Sequence, residues 1–186
     1  WESFKDENML NWLLSQIKSK YSLKNFPYQI ECIDISHFSG SNTSWWLSCF
    51  VWWVPNYKLY RKYKIDAKID TKSGDDYSAL MELITRRFKD TQNLPDLFII
   101  DWWKWQLGIL KELLGQERFQ SIYAKVDFVS LGKWVARKTW WKLKWEKEKI
   151  FRFDDSFKIQ QIDLDYDQAD KILVKVRDEA HRFANS

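Results

Sequence analysis

At 186 residues, 45% of them hydrophobic, the chain is long enough for one domain with a real core and short for two. Its 30 basic residues against 26 acidic ones leave a net charge of +4, a slight lean toward a polyanionic partner that selects no function alone. No run approaches the ~18 apolar residues of a membrane span, no charged-then-apolar leader opens the chain, and Cys32 and Cys49 lack zinc-site or disulfide-framework spacing, so a soluble cytoplasmic protein with two reduced core cysteines is expected.

Phe4, Leu10, Leu13, Leu14 and Ile17 recur at helical spacing, so residues 4–20 read as an amphipathic helix. Residues 1–25 are taken as a lead-in and 26–186 as the domain proper. Polar and apolar residues alternate from Gln29 to Ser36 and stop at the turn-rich Ser39-Gly40-Ser41-Asn42, which marks a first strand. Residues 47–51 and 58–65 are also strand-like, the second alternating as a partly exposed antiparallel strand does, and the three form a meander. Ser73-Gly74-Asp75-Asp76 supplies cap residues for a helix marked by Tyr77, Leu80, Met81, Ile84 and Phe88.

Residues 94–101 are a continuous apolar run ending in Asp101, the pattern of a buried parallel strand with a functional residue at its carboxyl end. A helix through Leu107, Leu110, Leu113 and Leu114 follows, then a strand over 123–131. Residues 133–149 read as a basic loop and 150–162 as short extended pieces. Asp165 or Asp167 caps a last helix with Ala169, Ile172, Leu173, Val176, Ala180 and Phe183 on one face. Meander, crossover helix, parallel strand, helix and strand predict an α/β domain with a mixed sheet, the order of RNase H-like folds.

A crossover of that kind sets the end of the parallel strand beside strand one, so Asp34 and Asp101 converge. Paired carboxylates are hard oxygen ligands suited to Mg²⁺ or Mn²⁺, and such a site points to phosphodiester hydrolysis. His181 lies on the last helix, one turn after Arg177, and imidazole serves equally as metal ligand or proton carrier. Each residue alone has a plain alternative: a strand-end aspartate is often a cap, and a helix histidine is often a surface group.

Four blocks change the weighing. Glu31-Cys32-Ile33-Asp34-Ile35-Ser36-His37, Gly74-Asp75-Asp76-Tyr77 with Thr85-Arg86-Arg87-Phe88, Ile100-Asp101 with Lys104 and Gln106-Leu107, and Arg177-Asp178-Glu179-Ala180-His181-Arg182-Phe183-Ala184 resemble the signature blocks of the UvrC endonuclease domain, in that family's order. The resemblance implies that Asp34, Asp101 and His181 are its metal-binding and catalytic triad and that Asp76, rather than Asp75, is a further acid needed for incision. It also implies phosphate contact by Lys104, and Arg177 is taken as a second substrate contact; His37 is read as structural. In the family this domain makes the 5′ incision at a lesion, with UvrB as partner and UvrA acting upstream. A separate amino-terminal nuclease domain makes the 3′ cut. That domain and the family's helix-hairpin-helix module are not recognised here, so the chain is expected to be a fragment.

The chain departs from the pattern in its tryptophans, 13 of them against 5 glycines. Trp102, Trp103 and Trp105 stand at the three glycines of the family's second-aspartate block. Trp52 and Trp53 fall in a hairpin turn, where Gly-Gly or Asn-Gly is expected. Trp140, Trp141 and Trp145 interrupt a lysine-rich loop. Core packing or base stacking is the plain explanation, but paired aromatics at turns follow neither pattern. The expectation is that most of these positions are natively glycine, in a gene whose lineage reads UGA as glycine. Converting the central tryptophans from Trp45 to Trp145 would bring glycine to about 16 residues, near the usual ~7%.

The reading from sequence is a metal-dependent DNA endonuclease of excision repair. A silent nucleic-acid-binding module using Lys133, Arg137, Lys138, Lys142, Lys144, Lys147 and Lys149 is one alternative. A different RNase H-like nuclease is another.

Overall fold

The structure, a computed structural model, describes residues 6–37, 43–64, 75–101, 104–133 and 148–186. Helix α1 (Glu7–Lys20) precedes strands β1 (Gln29–His37), β2 (Thr43–Val51) and β3 (Val54–Pro55), a 3₁₀ turn (Tyr57–Leu59) and β4 (Arg61–Lys64). Then come α2 (Asp75–Arg87), β5 (Leu97–Ile100), α3 (Lys104–Leu114), α4 (Glu117–Lys125), β6 (Asp127–Lys133), β7 (Glu148–Phe153), β8 (Ile159–Asp163) and α5 (Gln168–Ala184). The strands form one sheet in the order β3-β2-β1-β5-β6-β7-β8, with β4 paired to β2. β1 is antiparallel to β2 and parallel to β5, and β5 is parallel to β6. β6, β7 and β8 are antiparallel. The predicted mixed α/β sheet is therefore present.

The two-residue period of the strands sorts side chains onto two covered faces. Ile30 and Cys32 of β1, Phe50 of β2 and Ile99 of β5 join α1 and α5 in one buried cluster. Ile33, Trp45, Leu47, Phe98 and Ile100 join α2, α3 and α4 in the other. Because both faces of β5 are covered, all four of its residues are buried, which explains a continuous apolar run where a one-sided strand would alternate. Cys32 and Cys49 are free and buried.

Several boundaries differ from the sequence reading. The strand expected over 123–131 begins at Asp127, because Phe119 and Ile122 anchor α4 through Lys125. That helix has no side-chain hydrogen bond from its N-cap, Gln116, and so carried no start signal. Lys58 and Leu59 belong to the 3₁₀ turn rather than to the third strand. The extended pieces over 150–162 resolve into the β7–β8 hairpin, whose turn is closed by Asp154 N–H donating to the Lys158 carbonyl at 2.8 Å. In the basic stretch, β6 continues through Lys133 and β7 starts at Glu148, while 134–147 lie outside the described residues.

α5 begins at the second of its two candidate caps: Asp167 accepts the Asp170 N–H at 2.8 Å. α1 lies off the sheet and buries Leu10, Leu13, Leu14 and Ile17 in the cluster of Ile172, Leu173 and Val176. Its end is latched to α5 by Lys20 Nζ, 2.7 Å from Asp170 Oδ2, and by the Tyr21 hydroxyl on Asp170 Oδ1.

The two-residue loop between β2 and β3 is Trp52-Trp53, flanked by the pair Val51 and Val54. Both residues have positive φ, 49° and 68°, the signature of a type I′ turn. A side chain at such φ costs about 1–2 kcal/mol per residue.

Candidate active site

Asp34 is an even-numbered residue of β1, so its side chain leaves the same face as Ile30 and Cys32, toward α5. Asp101 follows the last residue of β5, and its N–H still donates to the Ile33 carbonyl of β1 at 3.1 Å. That bond extends the parallel ladder by one step and fixes Asp101 beside Asp34 at the carboxyl end of the sheet. α5 crosses above this point because its apolar stripe (Ala169, Ile172, Leu173, Val176, Ala180 and Ala184) packs down onto the sheet. His181 follows Ala180 and projects between the two aspartates. Its Nδ1 is 2.7 Å from Asp34 Oδ2 and its Nε2 is 2.7 Å from Asp101 Oδ2.

Asp34 is nearly enclosed, with 8% of its side chain exposed, while His181 remains 47% exposed. The centre therefore has a buried floor and an open roof. A carboxylate on each ring nitrogen favours the imidazolium form, and a proton must leave the ring before that nitrogen can ligate an ion. Hydrogen bonding to Asp101 first, then to Asp34, pushes the His181 pKa up to about 10 against the opposing effect of burial.

One ligand atom from each of the three residues lies within 4.8 Å of the others. Ligands around an ion at ~2.1 Å can be at most about 4.2 Å apart, so small side-chain shifts would enclose a hard divalent cation. Two carboxylates and an imidazole are a suitable donor set for Mg²⁺ or Mn²⁺.

The other expected site residues fare differently. Asp76 is the second residue of α2 and Lys104 the first of α3, but their side chains, like that of His37, lie outside the described residues. Arg177, expected at the substrate, faces inward with 7% exposure. Its guanidinium donates to Glu148 Oε1 at 2.6 Å and to Asp178 Oδ1 at 2.8 Å, which makes it a clamp between β7 and α5. Trp102 and Trp103 are also outside the described residues.

Two ionic features had no assigned role in the sequence. Arg87 of α2 makes two bonds to buried Glu31 of β1, at 2.7 and 2.5 Å, and so ties a helix to the strand that carries Asp34. Both residues stand inside the signature blocks, which was the available signal. Tyr60 donates to Glu179 at 2.9 Å, and Arg182 clamps the same carboxylate, so α5 is also pinned to the meander. Its only hint was the position of Glu179 two residues before His181.

The UvrC RNAse H endonuclease domain matches residues 18–185. The UvrABC system protein C of Nautilia profundicola is 33% identical over 94% of this chain and 28% of its own length. That of Francisella tularensis (strain WY96-3418) is 37% identical over 92% and 26%, and that of Psychrobacter cryohalolentis is 38% identical over 84% and 23%. The chain thus spans about a quarter of the length of these curated relatives. Among solved structures, human ENDOV aligns over 96% of this chain and 100% of its own at 9% identity and a TM-score of 0.41. The Endonuclease_V of Bacillus subtilis aligns over 91% and 81% at 14% identity, also with a TM-score of 0.41.

Proposed function

Since this chain belongs to the UvrC RNAse H endonuclease domain family, we propose that it cuts a DNA phosphodiester on the 5′ side of a lesion during excision repair. The observation that carries this reading is the Asp34–His181–Asp101 array at the carboxyl ends of β1 and β5, buried below and open above. A binding module has no need of three converging ligands under an open face.

In this reading Asp34, Asp101 and His181 hold a divalent cation, Mg²⁺ or Mn²⁺. When bound, the cation polarises the phosphate and supplies an activated water. The chain's own residues do the rest. Asp34 and Asp101 are held by adjacent parallel strands and so keep a fixed separation. His181 is set by the α5 stripe and by the Arg177–Glu148 clamp beneath it. Asp76, at the start of α2, is the further acid of the reaction, and Lys104, at the start of α3, contacts the scissile strand's phosphate. UvrB is the partner, with UvrA acting upstream on damaged DNA, and the protein works in the cytoplasm. Among the described residues no helix is long and apolar enough to cross a membrane.

The test is nicking of a lesion-bearing duplex pre-loaded with UvrA and UvrB, by the full-length protein with Mn²⁺ or Mg²⁺, comparing wild type with Asp101→Asn. Loss of one ligand is expected to reduce the 5′ cut by at least ~100-fold, since even outer partners of a metal site cost 10–100-fold, and to leave the 3′ cut intact. An unchanged 5′ cut would overturn the assignment.

A further inference from the structure

We propose that Lys62 and Lys64 of β4 form a phosphate-binding strip that guides a nucleic-acid strand onto the Asp34–Asp101–His181 centre. The proposal rests on the nuclease reading above and adds to it a binding surface on the sheet's meander.

The register supplies the geometry. Asp34 of β1 stands opposite Trp46 of β2, and Trp46 stands opposite Lys62 of β4. Residues directly opposed on antiparallel strands share a face, so Asp34, Trp46 and Lys62 form one row across the sheet. The next row toward the open end is Ser36, Ser44 and Lys64. With ~4.8 Å between strands, the Lys62 backbone is about 10 Å from that of Asp34, and the two lysines are ~7 Å apart along β4. A flexible four-carbon stem closes most of the remaining distance to a strand lying over the centre.

Contacts confirm which face this is. Trp46 meets Phe183 of α5 edge-on, with ring centroids 4.9 Å apart, two residues beyond His181. Lys62 Nζ is 4.2 Å from the centroid of the Trp46 ring. Tyr63, between the lysines, turns to the opposite face and packs with the α2, α3 and α4 cluster. Because the row is set by backbone pairing, it stands whether residue 46 is tryptophan or glycine.

Charge identifies the occupant. Lys62 and Lys64 are exposed, and neither has a carboxylate partner among the described residues. The acid on this part of α5, Glu179, is already engaged by Arg182, at 2.7 and 2.5 Å, and by Tyr60. Two exposed ammonium groups without a carboxylate partner among the described residues, on the open side of a phosphodiester-cutting centre, match a polyphosphate backbone, and contacts of this kind are indifferent to base sequence.

The test uses the full-length protein and a lesion-bearing duplex, with the binding constant measured across a range of salt concentration. Each lysine that neutralises a phosphate contributes about 0.9 to the slope of log K against log salt. The double variant Lys62→Gln, Lys64→Gln is expected to lower that slope by about 1.8, with the arginine replacements restoring it. Lys171→Gln, an equally exposed change at the far end of α5, is expected to leave it unaltered. An unchanged slope in the double variant overturns the proposal and leaves the lysines as guards of an edge strand. Asp101→Asn cutting reports separately on the nuclease reading: if that variant cuts normally, the reading fails while the slope still decides the role of the strip.

Discussion

Two acidic clusters in this molecule look alike by composition and behave as opposites. Asp34 and Asp101 meet His181 at one place, and Asp165, Asp167 and Asp170 meet at another, each set with ligand atoms within 4.8 Å. The second cluster is already satisfied: Lys20 Nζ lies 3.1, 3.3 and 2.7 Å from its three carboxylates. Asp170, fully buried, also accepts the N–H groups of Asp165 and Tyr166 at 2.7 and 3.0 Å. Asp167 is spent capping α5. Among the described residues the first cluster is answered only by a titratable, half-exposed ring. Density of carboxylates alone therefore does not separate the two clusters; what differs is that the second is held by a permanent cation and backbone donors, the first by a half-exposed imidazole.

The contrast can be broken most directly by crossing two substitutions. Asp170→Asn breaks a buried ion pair and is expected to cost about 3 kcal/mol, read as a melting temperature lower by roughly 6–12 °C, with incision per folded molecule retained. Asp101→Asn is expected to do the reverse, losing the 5′ cut by at least ~100-fold while keeping the fold. If either variant shows the other's phenotype, the two clusters have been assigned the wrong way round.

Next in size is the response to metal. Mn²⁺ at about 100 times its dissociation constant stabilises by about 2.7 kcal/mol. Thermal melts should show that gain in wild type and in Asp170→Asn, and not in Asp101→Asn. A gain that survives Asp101→Asn but vanishes in Asp170→Asn would place the ion at the α5 cap.

A change remote from both clusters separates stability from chemistry. Replacing Trp52 and Trp53 by glycine relieves two positive φ angles and is expected to stabilise by about 2 kcal/mol. Equilibrium unfolding measures this, and a loss of stability would mean that the indole packing of Trp53 outweighs the backbone strain.

The smallest effect is that of pH on the α5 cap. The Asp170 N–H, more than any other group, holds the Asp167 carboxyl below its usual value. A depressed carboxyl stabilises the fold above its unfolded pKa and loses that contribution as pH falls through the folded value. Asn caps as well as Asp without the charge. Between pH 5 and 3, melts of wild type should therefore lose about 0.5 kcal/mol more than those of Asp167→Asn.

The elements that sequence located best are those whose pattern is local. The alternation of β1, the four-residue apolar β5 and the α5 stripe each follow from neighbours in the chain, and they carry Asp34, Asp101 and His181. What sequence could not supply were partners chosen at long range. Arg177 was expected at the substrate, and its ion pair with Glu148, 29 positions away, has no sign in the sequence. α4 was hidden because its buried face is only Phe119 and Ile122. The objection to Trp52 and Trp53 was legible, since a two-residue hairpin demands positive φ whatever occupies it, and both residues have it. Trp46 adds a second sign: its buried indole N–H finds no hydrogen-bond acceptor among the described residues.

The 147-residue separation between Asp34 and His181 also bears on how the protein is made. Synthesis delivers β1 and β5 to the cell well before α5, and a chain still on the ribosome at that stage has Asp34 and Asp101 but not the His181 ring that joins them. The α1 latch is equally delayed, because Lys20 waits for Asp170, 150 residues later. Contacts this distant in sequence form late, so ordering of the sheet and closure of the Asp34–Asp101–His181 cluster are separate events. A truncated translation product that stops before α5 therefore lacks the third member of the Asp34–Asp101–His181 cluster.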